Sequence, residues 1–119
     1  MVDVKISIIG AGSATFSIEL IRDLCLTPNL EGSTVSLMDI NKDRLNAVYA
    51  LGKKYADEMK IKLNLEKTMN RRESLRDADF VINTAMVVGY RGYRAGWLIG
   101  FKHGYRFGGS YHVMHGEGL

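Results

Sequence analysis

Val4-Lys5-Ile6-Ser7-Ile8-Ile9-Gly10-Ala11-Gly12-Ser13-Ala14-Thr15-Phe16 decides the fold of this chain. The first half is an almost continuous apolar run, the pattern of a parallel strand covered on both faces. Gly10 allows a sharp turn. Gly12 allows close approach of backbone to a ligand. Ser13 or Ala14 then opens a helix, whose first N–H groups lack partners and sit at the positive end of the helix dipole. A second apolar run, Thr34 to Met38, ends in Asp39. Strand, glycine turn, helix, then a second strand tipped with an acid is the arrangement that holds a dinucleotide. The helix start faces the pyrophosphate. Asp39 can accept from both hydroxyls of an adenosine ribose, and its charge repels a 2′-phosphate. The expected cofactor is therefore NAD rather than NADP.

The motif is imperfect. The full fingerprint has a third glycine where this chain has Thr15. That glycine permits close helix–strand packing, so Thr15 implies a different helix approach. The competing explanation is an ordinary strand–turn–helix corner with a solvated Asp39. Context favours the dinucleotide reading, because the strand, the helix and the acid all stand where the motif needs them.

The rest of the composition sets bounds. With 119 residues, one domain is expected, spanning 1–119. A complete dinucleotide-binding domain has two mononucleotide halves and more chain, so the domain is expected to be truncated, with the catalytic and metal-binding part absent. Hydrophobic content of 46% and charged content of 24% are those of a soluble globular protein. A single cysteine, Cys25, excludes an internal disulfide and fits a reducing cytoplasm. No signal peptide and no run long enough to cross a membrane are read. The net charge of +3 is concentrated late: Arg91, Arg94, Lys102 and Arg106 lie in an interval free of acids between Asp79 and Glu117. That field suits an anionic ligand, or is simply a solvated face. No nucleic-acid motif accompanies it.

Further elements follow from periodicity. A first helix to about Leu26 carries Phe16, Leu20 and Leu24 as a core stripe, with Ile21 and Cys25 beside it. Thr27-Pro28-Asn29 stops it. Asn41 caps a second helix, Lys42 to Lys60, buried through Leu45, Val48, Tyr49, Gly52, Tyr55, Ala56 and Met59. Ile61, Leu63 and Leu65 predict a third strand, Arg72 to Ala78 a short turn or single helical turn, and Asp79 to Ala85 a fourth strand, built to be covered on both faces but expected to expose an apolar edge in a truncated domain. Asn83 at its carboxyl end reaches a ribose or nicotinamide if the strand order is 3-2-1-4. Arg91 to His103 predicts a helix closed by Gly104. The fold class is α/β, a Rossmann-like parallel sheet.

The chain resembles glycoside hydrolase family 4, the NAD- and divalent-metal-dependent glycosidases, in their α-glucosidase-like branch. The matching stretches are Ile8 to Ser17, Leu20 to Pro28, Gly32 to Ile40 with Arg44-Leu45, Asp77 to Ala85, and Lys102 to Tyr105. The resemblance implies hydrolysis of O-glycosyl bonds by redox-assisted elimination. NAD⁺ takes a hydride from C3 of the sugar, a base removes the acidified C2 proton, Mn²⁺ steadies the enediolate, and water adds before the hydride returns. It implies that Gly10, Gly12, Ser13, Ala14, Thr15 and Phe16 hold the pyrophosphate. Asp39 would hold the adenosine ribose, with Asn83 and Ala85 near the nicotinamide ribose. The family's Cys-His metal motif and its base match no position here, so no catalytic or metal residue is assigned. Cys25 precedes Leu26, and His112 and His115 lack a third ligand. The partners implied are NAD and, in the full-length protein, a glycoside and further copies of itself in a homo-oligomer, with no nucleic acid and no membrane.

Two other readings stay open. A lactate- or malate-type 2-hydroxy acid dehydrogenase places a substrate-binding arginine after the fourth strand, where Arg91 and Arg94 stand. A non-catalytic relic would need no further chemistry.

Overall fold

The computed structural model describes residues 2–85 and 89–105. Its elements run β1 (Lys5–Ile9), α1 (Ala14–Cys25), β2 (Thr34–Met38), α2 (Lys42–Glu58), β3 (Asn64–Thr68), α3 (Arg71–Leu75), β4 (Phe80–Asn83) and α4 (Gly89–Lys102). A 3₁₀ turn, Pro28–Leu30, joins α1 to β2. The chain divides into two compact units, Met1–Ala85 and Met86–Leu119.

The first unit is a four-stranded parallel sheet in the order β3-β2-β1-β4. This is the order on which the reading of Asn83 depends. With β1 at the centre, the chain winds one way to β2 and β3 and the other way to β4. The crevice of such a sheet opens at the carboxyl ends of β1, where the winding reverses.

One face of the sheet is hydrocarbon. Ile8, Val35 and Leu37 lie against Ile21 and Cys25 of α1 and Leu45, Val48 and Ala56 of α2, all of them buried. Each large aliphatic side chain buried there contributes about 1.5–3 kcal/mol. The helices meet closely: a side-chain carbon placed on Gly52 would lie 2.8 Å from Ile21 Cδ1. The other face is lined by hydroxyls. Ser7 of β1 and Ser74 of α3 share a 2.6 Å hydrogen bond, and Ser74 donates to Ser36 of β2 at 3.0 Å. All three serines are fully buried. The alternation of β1 and β2 thus sends Ile6, Ile8, Val35 and Leu37 to one face and Ser7 and Ser36 to the other.

Several expectations shift by a few residues, and two shift in substance. The core stripe of α1 is Ser17, Ile21 and Cys25, with Leu20 and Leu24 only partly buried, and Phe16 is 54% exposed. The expectation that Phe16 belongs to the core is thereby corrected. The helix turns its small Ser17 inward because that hydroxyl closes the glycine loop. The third strand begins at Asn64, not at Ile61. Lys60 takes a left-handed φ of 57° and ends α2, so Ile61 and Leu63 form the turn into β3 and pack on the core from there. The edge strand β4 leaves Phe80 60% and Val81 52% exposed. It pairs with β1, while α3 packs over β1, β2 and β3.

In the second unit, α4 ends in Gly104 at φ 80°, the left-handed stop its sequence predicts. Trp97 and Phe101 form a tilted ring pair with centroids 5.7 Å apart. Arg106, Ser110, His112, His115 and Glu117 fall outside the described residues.

Candidate dinucleotide site

The site is built where β1 and β2 end and α1 begins. Gly10 turns the chain with φ 85°. A side-chain carbon there would lie 2.7 Å from the Ala85 nitrogen, so the position requires glycine twice, for its dihedral and for its space. The Gly10 and Ala11 N–H groups both donate to the Met38 carbonyl at 2.9 Å, locking the turn to the end of β2.

Asp39 ties the loop from the other side. Its Oδ2 accepts from the Gly12 N–H at 2.7 Å, and its Oδ1 accepts from the Asn41 N–H at 2.8 Å. A carboxylate offers about four acceptor positions, so two remain for hydroxyls of a ligand. A side-chain carbon at Gly12 would lie 2.7 Å from Asp39 Oδ2 and 3.0 Å from Arg44 Cβ. Gly12 therefore serves close approach to the acid itself, in addition to the close approach to a ligand that its place in the motif suggests.

The start of α1 differs from those of α2 and α3. Asn41 caps α2 by accepting from the Arg44 N–H, and Asn70 caps α3 by accepting from Arg72 and Glu73. Ser13, at the same position of α1, makes no side-chain cap bond, and the first turn carries no acid. Ser13, Ala14, Thr15 and Phe16 are exposed. The free N–H groups and the dipole end thus face solvent, with room for an anion. Thr15 points outward, so the missing third glycine leaves the loop open.

Two residues that sequence reasoning missed hold the loop in shape. Ser17 Oγ donates to the Ala11 carbonyl at 2.6 Å, buried beneath the turn. Thr84 Oγ1 lies 3.0 Å from the Ile9 carbonyl and 3.1 Å from that of Gly10, bringing the end of β4 against the glycine turn. Nothing in the motif pattern marks either one. The signal available was a hydroxyl four residues into an amphipathic stripe and another at a strand's end. Asn83 stands at the carboxyl end of β4 as expected. Its carboxamide oxygen accepts from the Ala85 N–H at 3.1 Å, which leaves its amide N–H groups to donate. Ala85 is exposed beside Gly10.

Cys25 lies at the opposite end of α1, buried, and burial pushes its thiol above the usual range. It is part of the core. Among the described residues no three His, Cys, Asp or Glu side chains gather into a metal site. No helix among the described residues is long and apolar enough to cross a membrane.

These features define a Rossmann-like α/β fold with an open glycine loop at the carboxyl ends of its strands. The model of the family 4 glycosyl hydrolases matches residues 5–118, and the chain belongs to that family. It is 28% identical to an α-galactosidase of Rhizobium meliloti (strain 1021) over 87% of its own length and 21% of that protein's. It is 33% identical to an α-galactosidase of Bacillus subtilis (strain 168) over 73% of its length and 20% of that protein's. A solved 6-phospho-alpha-glucosidase from gut microorganisms, in complex with NAD and Mn²⁺, shares the fold. Its TM-score is 0.69 at 23% identity, over 87% of this chain and 23% of that one. The chain spans about a fifth of the curated relatives it matches.

Proposed function

We propose that this chain forms the NAD-binding part of a glycosidase that cleaves α-glycosidic bonds by redox-assisted elimination. The observation that carries the reading is the Gly10–Gly12 loop, pinned by Asp39 and opening onto a helix start without a side-chain cap. Family membership supports the glycosidase half of the proposal. The residues present fit a dinucleotide. The N–H groups of Ala14, Thr15 and Phe16, with the Ser13 hydroxyl, would hold the pyrophosphate. The spare acceptor positions of Asp39 would take the adenosine ribose hydroxyls. Asn83, as a donor, and Ala85, as an open backbone position, would flank the nicotinamide ribose. Bound there, NAD⁺ would supply a reversible hydride acceptor for the sugar.

What the chain's own residues do is position and select. Asp39 fixes the loop and repels a 2′-phosphate. Ser17 and Thr84 hold the turn so that the α1 amides converge. The described residues offer no ligand set for Mn²⁺, and no step is derived through it. The buried single thiol fits a reducing cytoplasm as the working compartment. A homo-oligomer of the whole enzyme belongs to the same proposal, while the exposed apolar Phe80 and Val81 on the edge strand β4 support association of this chain by itself.

Calorimetric titration of the chain with NAD⁺ and NADP⁺ tests the reading. NAD⁺ is expected to bind more tightly. Asp39→Ala should weaken NAD⁺ by about tenfold, the loss of one charge-assisted contact, and narrow the preference. Equal affinity for the two cofactors in the unmodified chain would sink it.

A further inference from the structure

The acid at the ribose position does not stand alone. Asp39 Oδ1 accepts from the Asn41 N–H at 2.8 Å, and Asn41 Oδ1 accepts in turn from the Arg44 N–H at 3.0 Å. Two consecutive hydrogen bonds therefore fix the backbone of Arg44 relative to the Asp39 carboxylate. Gly12 closes the group, since a side-chain carbon built on it would meet both Asp39 Oδ2 and Arg44 Cβ within 3.0 Å. One glycine thus touches the acid and the base together, at the loop that faces the ligand.

The Arg44 side chain is exposed, and among the described residues it makes neither an ion pair nor a side-chain hydrogen bond. Asp39 is engaged by backbone N–H groups and leaves the guanidinium unclaimed. Dinucleotide sites choose between cofactors with these two residue types: an acid on the ribose 2′-hydroxyl selects NAD, and a nearby arginine accommodates a 2′-phosphate. Here both stand on one short turn. A guanidinium suits a phosphate because its planar donors match the oxygens in pairs.

We propose that Arg44 is a second determinant of cofactor choice, a ready contact for a 2′-phosphate that the Asp39 charge keeps silent. The inference rests on the NAD reading given above. With Asp39 charged, a phosphate arriving beside Arg44 also arrives beside a carboxylate, and the repulsion offsets the attraction. With that charge removed, the attraction of Arg44 is no longer offset by the Asp39 carboxylate. The competing explanation is a solvated surface arginine whose stem merely walls Gly12.

A double-mutant cycle separates them. NAD⁺ and NADP⁺ are titrated calorimetrically into the unmodified chain, Asp39→Asn, Arg44→Ala and the double variant, with folding checked by circular dichroism. Asparagine keeps a side-chain carbonyl oxygen for the Gly12 or Asn41 N–H while losing the charge. Asp39→Asn should tighten NADP⁺ by about tenfold, and Arg44→Ala in that background should remove the gain. Arg44→Ala alone should change NAD⁺ affinity by less than about threefold, since it breaks no ribose contact. An equal NADP⁺ gain with and without Arg44, or no gain at all, overturns the proposal. A folded unmodified chain that binds neither dinucleotide overturns the NAD reading itself, and the proposal with it. If Asp39→Asn does not fold, Arg44→Glu in the unmodified background reads the same contact. It should weaken adenosine 2′,5′-bisphosphate at least about threefold more than adenosine 5′-monophosphate. Equal weakening of the two would overturn the proposal.

Discussion

The two ends of the sheet are made of similar polar residues and use them oppositely. At the amino ends of the strands, the polar groups are spent on one another. Asp79 Oδ2 accepts from the Lys5 N–H, the Lys5 ammonium donates to the Arg76 carbonyl and pairs with Glu66, and Ser33 both accepts from Val4 N–H and donates to the Val2 carbonyl. At the carboxyl ends, valence is left over. Asp39 has spare acceptor positions, Ser13 caps nothing, and Asn83 keeps its donors. A closed end is worth stability. An end with unused donors and acceptors is worth binding, because a ligand completes it.

The two turn glycines show the same contrast and give the sharpest tests. Gly10 and Gly32 both adopt positive φ, at 85° and 93°. Gly10 also faces the Ala85 backbone at 2.7 Å, whereas nothing lies within 4 Å of a carbon built on Gly32. Gly10→Val should therefore cost about 3 kcal/mol or more in urea unfolding, through strain added to a backbone clash. It should also abolish NAD⁺ binding. A stable Gly10→Val chain that still binds the cofactor would break the comparison.

Gly12→Ala comes next. The new methyl group displaces the Asp39 carboxylate from its 2.7 Å bond with the Gly12 N–H. We expect NAD⁺ affinity to fall at least about tenfold for a stability loss of only about 1 kcal/mol. A larger loss of stability than of binding would show that this end, too, is chiefly structural.

Gly32→Ala is the control at the closed end. It should cost about 1 kcal/mol of stability from strain alone, read by the same unfolding titration. NAD⁺ affinity should be unchanged, and a shift would mean that the two ends are coupled.

The smallest effect concerns Cys25 at the far end of α1. Burial raises its thiol, so the folded chain keeps the proton at a pH where the unfolded chain has released it. The unfolded state binds fewer protons there, and stability falls as pH rises past the ordinary thiol range. Below that range the thiol contributes no slope. Denaturation across alkaline pH should show a shallower decline in Cys25→Ala, and identical slopes would remove this assignment.

Much of the molecule was legible from residues alone. Val4 to Phe16 specified strand, turn and helix because apolar run, glycine pair and helix start are local signals. Gly104 ended α4 and Asn41 capped α2 for reasons contained within a few residues. The misreadings have one origin. Phe16 looked like core because it is large and correctly spaced, yet the helix is rotated to bring Ser17 under the loop. Lys60 ended α2 in a left-handed conformation that its residue type does not advertise. Both outcomes turn on short-range bonds that hydrophobic spacing does not encode: Ser17 reaches back to Ala11, and the Lys60 and Ile61 N–H groups to Asp57 and Ala56.

The sequence by itself determined the α/β class, the glycine turn, the acid at the tip of β2 and the family to which the chain belongs. Each rests on residue type and short spacing, which the backbone reads locally. Only the tertiary structure decided that Asp39 grips Gly12, that Thr84 holds the turn from β4, and that Arg44 stands beside the acid with its charge uncommitted. Those contacts join strands whose order is set by burying a common hydrocarbon face. No local rule fixes which side chains such a packing brings together.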